Sequence, residues 1–352
     1  MHFVRSWRGR VAFALAILIA ATICVDARCA SAGEERFDGF NVIAVDGHPF
    51  GSESARLSLA NARRLGVRAI AVIPFLWQST PASPNLQRGS DMSDEELRAA
   101  IRDAHALGLA VMVKPQVWVP NRWAGSIAMQ SDADWQKWFA NYRREVERIV
   151  QIGAEETADA VAIGTELELT SQRPQWVELI AAARAAYRGR LLYVAHDVEE
   201  AAQVPFWDVL DAVGVTLYPP LGADDDRDQR RATMRAVADR LDALSTRVGK
   251  PVLVGEIGVR SARGAAAKPW ESAEERAAPP DPGLQADVLA DWLSTLERPS
   301  IHGVLIWRWL TDPAAGGPTD TDFTVQGKPA ERVLMCAWTR RCDASELPVQ
   351  PP

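Results

Sequence analysis

Two apolar runs that each end in a glutamate decide the fold: Asp159-Ala-Val-Ala-Ile-Gly-Thr-Glu166 and Pro251-Val-Leu-Val-Gly-Glu256. Each has the length and composition of a buried parallel strand bounded by turn residues. In a parallel α/β barrel, the C-terminal ends of the strands line the active site. The runs therefore predict that Glu166 and Glu256 meet at one face of a barrel. Two carboxylates so placed are the minimum that cleavage of a glycosidic bond requires.

Eight apolar segments rich in β-branched residues alternate with helical patterns, which is typical of a parallel sheet. The predicted strands are Phe40–Val45, Ala69–Pro74, Ala110–Val117, Ala160–Thr165, Leu191–Ala195, Ala212–Leu217, Val252–Gly255 and Gly303–Trp307. The predicted helices are Ser54–Leu65, Asp94–Leu107, Asp134–Ile152, Trp176–Tyr187, Arg227–Val248, Gln285–Leu296 and Pro329–Thr339, with a short turn at Phe206–Leu210. No glycine-rich phosphate loop follows a strand, which favours a closed barrel over an open sheet. The fold class is therefore predicted as α/β, a (β/α)8 TIM barrel.

The N-terminus has the pattern of a secretory signal peptide. Three arginines precede the apolar run Val11–Val25, and the small residues Ala30-Ser31-Ala32 follow it. An uncleaved membrane anchor is the alternative, but the run is shorter than the roughly 20 residues of a spanning helix. We expect residues 1–32 to be removed and residues 33–352 to form one domain, located in the periplasm or outside the cell and not bound to a membrane.

The charge of the chain limits its partners. Four arginines and one aspartate leave with residues 1–32, which changes the net charge from −7 to −10. An acidic surface argues against nucleic acid and anionic membranes, and it suits a neutral glycan better than an acidic one. We expect a monomer that binds a polysaccharide or oligosaccharide.

Cys336 and Cys342 remain after signal cleavage, and in an oxidising compartment we expect a disulfide between them. Two thiols on a terminal helix are the alternative.

No metal or organic cofactor is expected, because a two-carboxylate site requires none and these cysteines have no nearby histidine to complete a zinc site. Metal-dependent and serine hydrolases are disfavoured because the sequence has neither a His-x-His motif nor a Gly-x-Ser-x-Gly elbow.

The order of motifs resembles glycoside hydrolase family 113, whose characterised members are β-mannanases. This family belongs to the clan of retaining (β/α)8 glycosidases with the acid/base on strand four and the nucleophile on strand seven. The matching stretches are Gly39-Phe-Asn41, Ala104-His-Ala-Leu-Gly-Leu-Ala-Val-Met-Val-Lys-Pro115, Ile163-Gly-Thr-Glu-Leu167, Phe206-Trp-Asp-Val-Leu-Asp-Ala-Val-Gly214 with Tyr218-Pro-Pro-Leu221, Lys250-Pro-Val-Leu-Val-Gly-Glu-Ile-Gly258 and Gly303-Val-Leu-Ile-Trp-Arg-Trp309. They cover nearly the whole mature chain.

The resemblance implies that Glu166 is the acid/base and Glu256 the nucleophile. Acting as an acid near neutral pH requires a proton, so we expect an apolar setting or the neighbouring carboxylate to raise the pKa of Glu166. Glu256 should stay ionised, helped by nearby donors. Tyr218, at the end of strand six, is placed to donate a hydrogen bond to Glu256; a packed tyrosine with a solvated hydroxyl is the alternative.

Two positions depart from the expected pattern. Thr165 stands where most of the clan has an asparagine that contacts the sugar, and His196 stands where asparagine is also expected. Both are candidate substrate contacts, and His196 puts the specific substrate in doubt. Glu168 is a rival to Glu166, although a carboxylate in the first turn of a helix is the simpler interpretation.

Aromatic and polar residues at the strand ends are further candidates. One of Trp307 and Trp309 should form the floor under the reactive sugar, and motif position favours Trp307. Lys114 either faces the cleft or pairs with a nearby carboxylate. Trp118 lies where an aromatic subsite is expected, as do Trp77 and Trp123, although each could equally be plain packing.

The sequence therefore predicts a secreted retaining glycoside hydrolase that cleaves β-linked, mannan-like glycans by double displacement. Two alternatives stay open. One is a barrel that binds glycans without cleaving them, because fold does not determine chemistry. The other is a glycosidase that acts on the cell's own exported polysaccharide.

Overall fold

Eight parallel strands close into a barrel in the order in which they follow one another along the chain. The computed structural model describes residues 36–342. The strands are β1 Gly39–Ile43, β2 Ala69–Val72, β3 Phe75–Gln78, β4 Leu86–Arg88, β5 Ala110–Val113, β6 Gln116–Trp118, β7 Ala160–Thr165, β8 Arg190–Ala195, β9 Ala212–Leu217, β10 Val252–Ile257 and β11 Ile301–Leu310. All but β3, β4 and β6 belong to the barrel, so the predicted (β/α)8 fold is confirmed.

Helices connect the strands and surround the barrel. Their bounds are α1 Glu53–Arg64, α2 Asp94–Ala106, α3 Asp132–Glu155, α4 Gln175–Ala186, α5 Val198–Gln203, α6 Arg227–Val248, α7 Pro282–Thr295 and α8 Pro329–Thr339. The start of α2 is fixed by a capping box, in which Ser93 and Glu96 satisfy each other's backbone N–H groups. Seven of these helices match predicted ones, and only the six-residue α5 was missed.

Side chains alternate between the inside of the barrel and the surrounding helices. In β2, Ala69 and Ala71 belong to the inner cluster, whereas Ile70 and Val72 pack in the larger outer cluster. This is the period of two that a strand imposes. Small alanines leave room inside the barrel for longer side chains contributed by other strands, namely Met112, Leu192 and Leu305.

A separate three-stranded sheet has the order β4-β3-β6. It is formed by the segments that directly follow the second and third barrel strands, β2 and β5. The sequence predicted Ala110–Val117 as one strand, and this is wrong in detail. The barrel strand β5 ends at Val113, and β6 begins at Gln116 in the separate sheet. Pro115 lies at the break, where its missing N–H would interrupt a ladder.

The Arg260–Pro282 segment, which follows β10, is fixed to its surroundings by the buried guanidinium of Arg260. Its Nη1 donates to the carbonyl oxygens of Ser272 (2.7 Å) and Arg276 (2.9 Å), and its Nε donates to that of Thr321 (3.0 Å). These contacts make the segment an ordered insertion after β10.

The predicted disulfide is wrong. Cys336 lies within α8, whereas Cys342 is exposed beyond the helix end, and the two are not bonded. The helix continues through Cys336 to Thr339 and ends in the left-handed residue Arg340, so Cys336 is held in helical backbone while Cys342 lies beyond the helix end.

Chain contacts divide the protein into residues Met1–Arg36 and a second unit, Phe37–Pro352. The predicted signal peptide, residues 1–32, lies outside the described residues. Within residues 36–342, no helix combines the length and the apolar character needed to cross a membrane.

Candidate active site

Both predicted glutamates lie where regular strand pairing is interrupted. The β7–β8 pairing shifts register between Ala162 and Thr165, and the β9–β10 pairing shifts between Val254 and Glu256. Such bulges re-aim side chains and are frequent beside active sites. Glu166, the first residue after β7, has a φ of 54°, in the left-handed region that few residues other than glycine adopt. The barrel thus directs both carboxylates by local irregularities.

Three donors converge on the carboxylate of Glu256. Its Oε2 accepts hydrogen bonds from Lys114 Nζ at 2.6 Å and Gln116 Nε2 at 3.0 Å, and its Oε1 accepts one from the Tyr218 hydroxyl at 2.8 Å. The Lys114 side chain is completely buried, and a buried charge requires a counter-charge. The Glu256 carboxylate supplies it. The predicted Tyr218 contact is confirmed, and so is the pairing of Lys114 with a carboxylate. These donors hold both oxygens of the Glu256 carboxylate in place.

The backbone that carries Glu256 is also held from below. Asn41 is fully buried in β1, and its Nδ2 donates to the carbonyl oxygen of Gly255 at 3.1 Å. This contact fixes the peptide that immediately precedes Glu256. Asn41 is therefore a positioning residue. Its stretch, Gly39-Phe-Asn41, had contributed only to the family resemblance.

The carboxylate of Glu166 is held by side chains from three different parts of the chain. His196 Nδ1 lies 3.2 Å from Oε1, and Trp123 Nε1 donates to Oε2 at 3.1 Å. The Thr216 hydroxyl lies within hydrogen-bond distance of both Glu166 Oε1 and the His196 carbonyl oxygen, so its single proton serves one of them at a time. His196, predicted as a candidate substrate contact, therefore contacts the Glu166 carboxylate, and its contact with substrate stays a prediction.

The expected rise in the pKa of Glu166 is not found. Burial raises this pKa, but the hydrogen bond and positive charge of His196, the Thr216 hydroxyl and the charge of Lys114 together lower it below its ordinary value. The pKa of His196 shows the converse: burial lowers it, and the larger combined effect of Glu166, Asp197 and Glu200 raises it. These two shifts favour an imidazolium–carboxylate pair, with the proton on His196.

A second buried carboxyl group stands behind this pair. Glu200 in α5 accepts hydrogen bonds from the Tyr193 hydroxyl and from the backbone N–H of His196, each at 2.6 Å. Tyr193 in turn accepts the backbone N–H of Leu167 at 3.1 Å, directly after Glu166. Glu200 therefore connects two backbone positions: Leu167, through the Tyr193 hydroxyl, and His196 directly.

Trp307 and Trp309 face opposite ways, and Trp307 is the one in the cleft. Lys114 Nζ lies 5.6 Å from the centre of the Trp307 ring, whereas Trp309 is buried and donates to Ser58 Oγ at 2.8 Å. Residues two apart on a regular strand would share a face. Trp307 and Trp309 do not, because the pairing of β11 with β1 shifts register between them: β1 pairs Asn41 with Trp307 but the next residue, Val42, with Trp309.

The other candidates are less closely tied to the carboxylates. Trp118 is exposed in β6, and Thr165 is buried at the end of β7, with no partner for its hydroxyl among residues 36–342. Substrate contacts at both stay predictions.

Glu168 begins a 3₁₀ helix, Glu168–Thr170, which confirms the helical interpretation of the rival carboxylate. Within the described part of the chain, no three His, Cys, Asp or Glu residues are grouped as metal ligands would be.

Sequence reasoning missed Thr216, Asn41, Tyr193 and Glu200. Thr216 could have been found, because it lies two residues before Tyr218 and therefore on the same face of the strand. Asn41 was visible in a motif but carried no assigned role. Tyr193 and Glu200 gave no signal, because their contacts depend on the unpredicted helix α5.

Comparisons with known proteins point in one direction. The family model for Glycoside Hydrolase Family 113 matches residues 39–328. No curated protein matches the chain. The chain is similar to the solved structure of a GH113 β-1,4-mannanase complex, with 28% sequence identity, a TM-score of 0.77, and coverage of 87% of this chain and 100% of the other.

Two more distant structures show the fold alone. The GH113 β-mannanase AaManA from Alicyclobacillus acidocaldarius, in complex with ManMIm, has 23% identity and a TM-score of 0.78, with 87% of this chain and 98% of that chain covered. A β-glucuronidase from Ruminococcus gnavus has 12% identity and a TM-score of 0.60, with 86% of this chain and 50% of that chain covered.

Proposed function

The chain belongs to glycoside hydrolase family 113, and from this premise we propose that it is a secreted, retaining enzyme that cleaves a β-linked mannan. The observation that carries the proposal is the pair Glu166 and Glu256, each at the end of its predicted barrel strand and each surrounded by donors. The 28% identical solved structure is a β-1,4-mannanase, which makes β-1,4-mannan the first substrate to test.

In the first step, Glu256 attacks the anomeric carbon while Glu166 protonates the leaving glycosidic oxygen. In the second step, Glu166 takes a proton from water, and the water releases the sugar from Glu256. Lys114, Gln116 and Tyr218 hold the Glu256 carboxylate in position for attack. Trp307 offers an apolar floor to the reactive sugar.

The lowered pKa of Glu166 requires a source for the proton that it donates. His196 supplies it in this proposal: transfer from Nδ1 to the adjacent Oε1 converts the imidazolium–carboxylate pair into a neutral pair. A glycan that displaces water from the cleft favours the neutral pair, because charge separation costs more in a less polar setting. The proton would then lie on Glu166 when the leaving oxygen is in place.

The N-terminal pattern of residues 1–32 supports export to the periplasm or the outside of the cell. The enzyme would act there as a monomer on a polysaccharide or oligosaccharide, and its net charge of −10 after cleavage suits a neutral glycan such as mannan.

The test is digestion of β-mannan, glucan, xylan and galactan oligosaccharides by the mature protein, alongside Glu256→Gln. We expect cleavage of the mannan series, its loss in Glu256→Gln, and its retention in Glu178→Gln, which changes an exposed glutamate of α4. NMR of the first product should show the β anomer, because double displacement retains configuration.

Each other outcome removes a specific part of the proposal. An α anomer as first product would rule out double displacement. Wild-type activity in Glu256→Gln would remove the nucleophile assignment. Binding of the glycans without cleavage by the wild-type protein would identify a glycan-binding barrel instead.

A further inference from the structure

One face of the small sheet carries two exposed indole rings. In β3 and β6, Phe75 pairs with Gln116 and Trp77 pairs with Trp118, so these four side chains lie on the same face. The intervening residues Leu76 and Val117 are buried on the opposite face. We call Trp77 and Trp118 the indole platform. They are 42% and 50% exposed, and their ring centroids are 6.1 Å apart.

The indole platform is continuous with the reaction centre. Gln116, on the same face of β6, donates to the Glu256 carboxylate at 3.0 Å. Trp118 follows two residues later, about 7 Å further along the strand. The same strand thus connects the carboxylate to the rings, and a molecule that extends from Glu256 along this face reaches Trp118 and Trp77.

The rings are held in place by contacts within the protein. Trp77 Nε1 donates to Asp91 Oδ1 at 3.3 Å, and Gly89 lies so close to the indole that a Cβ there would collide with it. Trp118 packs against the edge of Phe75, with ring centroids 6.1 Å apart. Such a surface costs little to order on binding, because its side chains are already restrained by their neighbours.

We propose that the indole platform is a distal subsite that binds a sugar ring of a β-linked glycan chain, several units of which lie along the face that begins at Gln116. This inference rests on the proposed function and extends it, since it makes the enzyme one that prefers long chains to short ones. Sugar rings present C–H groups that pack on indole faces, and two indoles in sequence suit an extended neutral polymer. A sugar that occupies only the reaction centre does not reach them.

The test compares kcat/KM for β-1,4-linked manno-oligosaccharides from the disaccharide to the hexasaccharide. For the wild-type enzyme, kcat/KM should rise with chain length. In Trp118→Ala we expect kcat/KM for the hexasaccharide to fall by about tenfold, with little change for the disaccharide. Trp77→Ala should act in the same direction, and Trp118→Phe should retain most of the length dependence. Leu57→Ala, at an exposed apolar position on α1, is the matched control and should change neither value.

Three outcomes would overturn the indole platform: a wild-type kcat/KM that does not rise with length, an unchanged length dependence in Trp118→Ala, or an equal loss on all substrates. If the wild-type protein cleaves nothing, the proposed function fails separately. Calorimetric titration with the same oligosaccharides then decides the platform. Length-dependent affinity that is lost in Trp118→Ala would support it, and its absence would overturn it.

Discussion

The imidazole of His196 lies with Nδ1 3.2 Å from Glu166 Oε1, and its ring packs against Trp123 at a centroid distance of 4.3 Å. Asparagine at this position could donate a hydrogen bond but could not carry a positive charge. His196 therefore gives Glu166 a partner that can hold a proton. The pair titrates as one unit, because the charge of each partner shifts the pKa of the other.

Replacing this histidine should change the protonation of Glu166. In His196→Asn, the pKa of Glu166 should rise, because burial continues to raise it while the strongest opposing influence, the bond and charge of His196, is lost. Carbon-13 NMR of glutamate-labelled protein measures this pKa directly. His105→Asn is the control, since His105 pairs with a different acid, Asp159. A Glu166 pKa that stayed the same in His196→Asn would show that His196 does not hold it down.

The positions of Glu166 and Glu256 could be predicted from the sequence because each is marked by the apolar strand that precedes it. Their partners could be predicted only in part. Tyr218 and Lys114 lie in motifs at strand ends, but Trp123 and Thr216 reach Glu166 from positions 43 and 50 residues away. No local sequence pattern specifies these contacts, because residues so far apart in the chain come together only when the barrel closes.

The helix α5 is an element whose role depends on one side chain. Asp197 caps its N-terminus by accepting the backbone N–H of Glu200, whose carboxyl group in turn accepts the backbone N–H of His196. Burial raises the pKa of Glu200 to about 7, with contributions from the charges of Glu168 and Glu166, although the His196 N–H and Tyr193 hydroxyl bonds oppose the rise. The folded state therefore favours the protonated form of this carboxyl group.

This raised pKa makes stability depend on pH. The stabilising contribution of protonated Glu200 is fully present below the ordinary pKa of 4.5 and is lost as the pH rises through about 7. Glu200→Gln removes this titration. The free energy of unfolding of the variant relative to wild type should therefore improve, by on the order of 3 kcal/mol, between pH 4.5 and pH 8.

Urea unfolding at several pH values measures the effect of Glu200. Glu199→Gln is the control on the same helix, because the pKa of Glu199 is lowered: burial raises it, but Arg240 and backbone bonding outweigh that effect. Its stabilising contribution is lost as the pH falls, which is the opposite direction. Parallel pH profiles for wild type and Glu200→Gln would contradict the assignment.

The elements that the sequence predicted share one property: a long or strongly periodic pattern. All eight barrel strands are apolar runs, and α6 and α8 were predicted with their observed bounds. The small sheet was missed because β4 and β6 have three residues each and β6 continues the apolar run of β5. Short elements are fixed by the neighbours they pair with, and those neighbours are not visible in a local pattern.

The surrounding helices are joined to one another by ion pairs that differ greatly in burial. Asp291 of α7 is buried and accepts hydrogen bonds from three arginines of α6: Arg227, Arg230 and Arg231. Arg230 is buried as well. A second ion pair connects the middle of α6 to the chain just after α7, where Arg298 contacts the exposed Asp239 at 2.7 Å.

These two carboxylates should contribute very differently to the stability of the whole barrel. Asp291→Asn keeps the shape of the side chain but leaves the buried guanidinium of Arg230 without a counter-charge, so we expect a loss of about 3–5 kcal/mol in the free energy of unfolding. Asp239→Asn removes an exposed pair that water already screens, so we expect a loss of about 1 kcal/mol or less. Urea unfolding of both variants at neutral pH makes the comparison, with circular dichroism to confirm that each is folded beforehand. Equal losses would mean that burial of Arg230 imposes no charge requirement, and that packing between α6 and α7 holds this side of the barrel without Asp291.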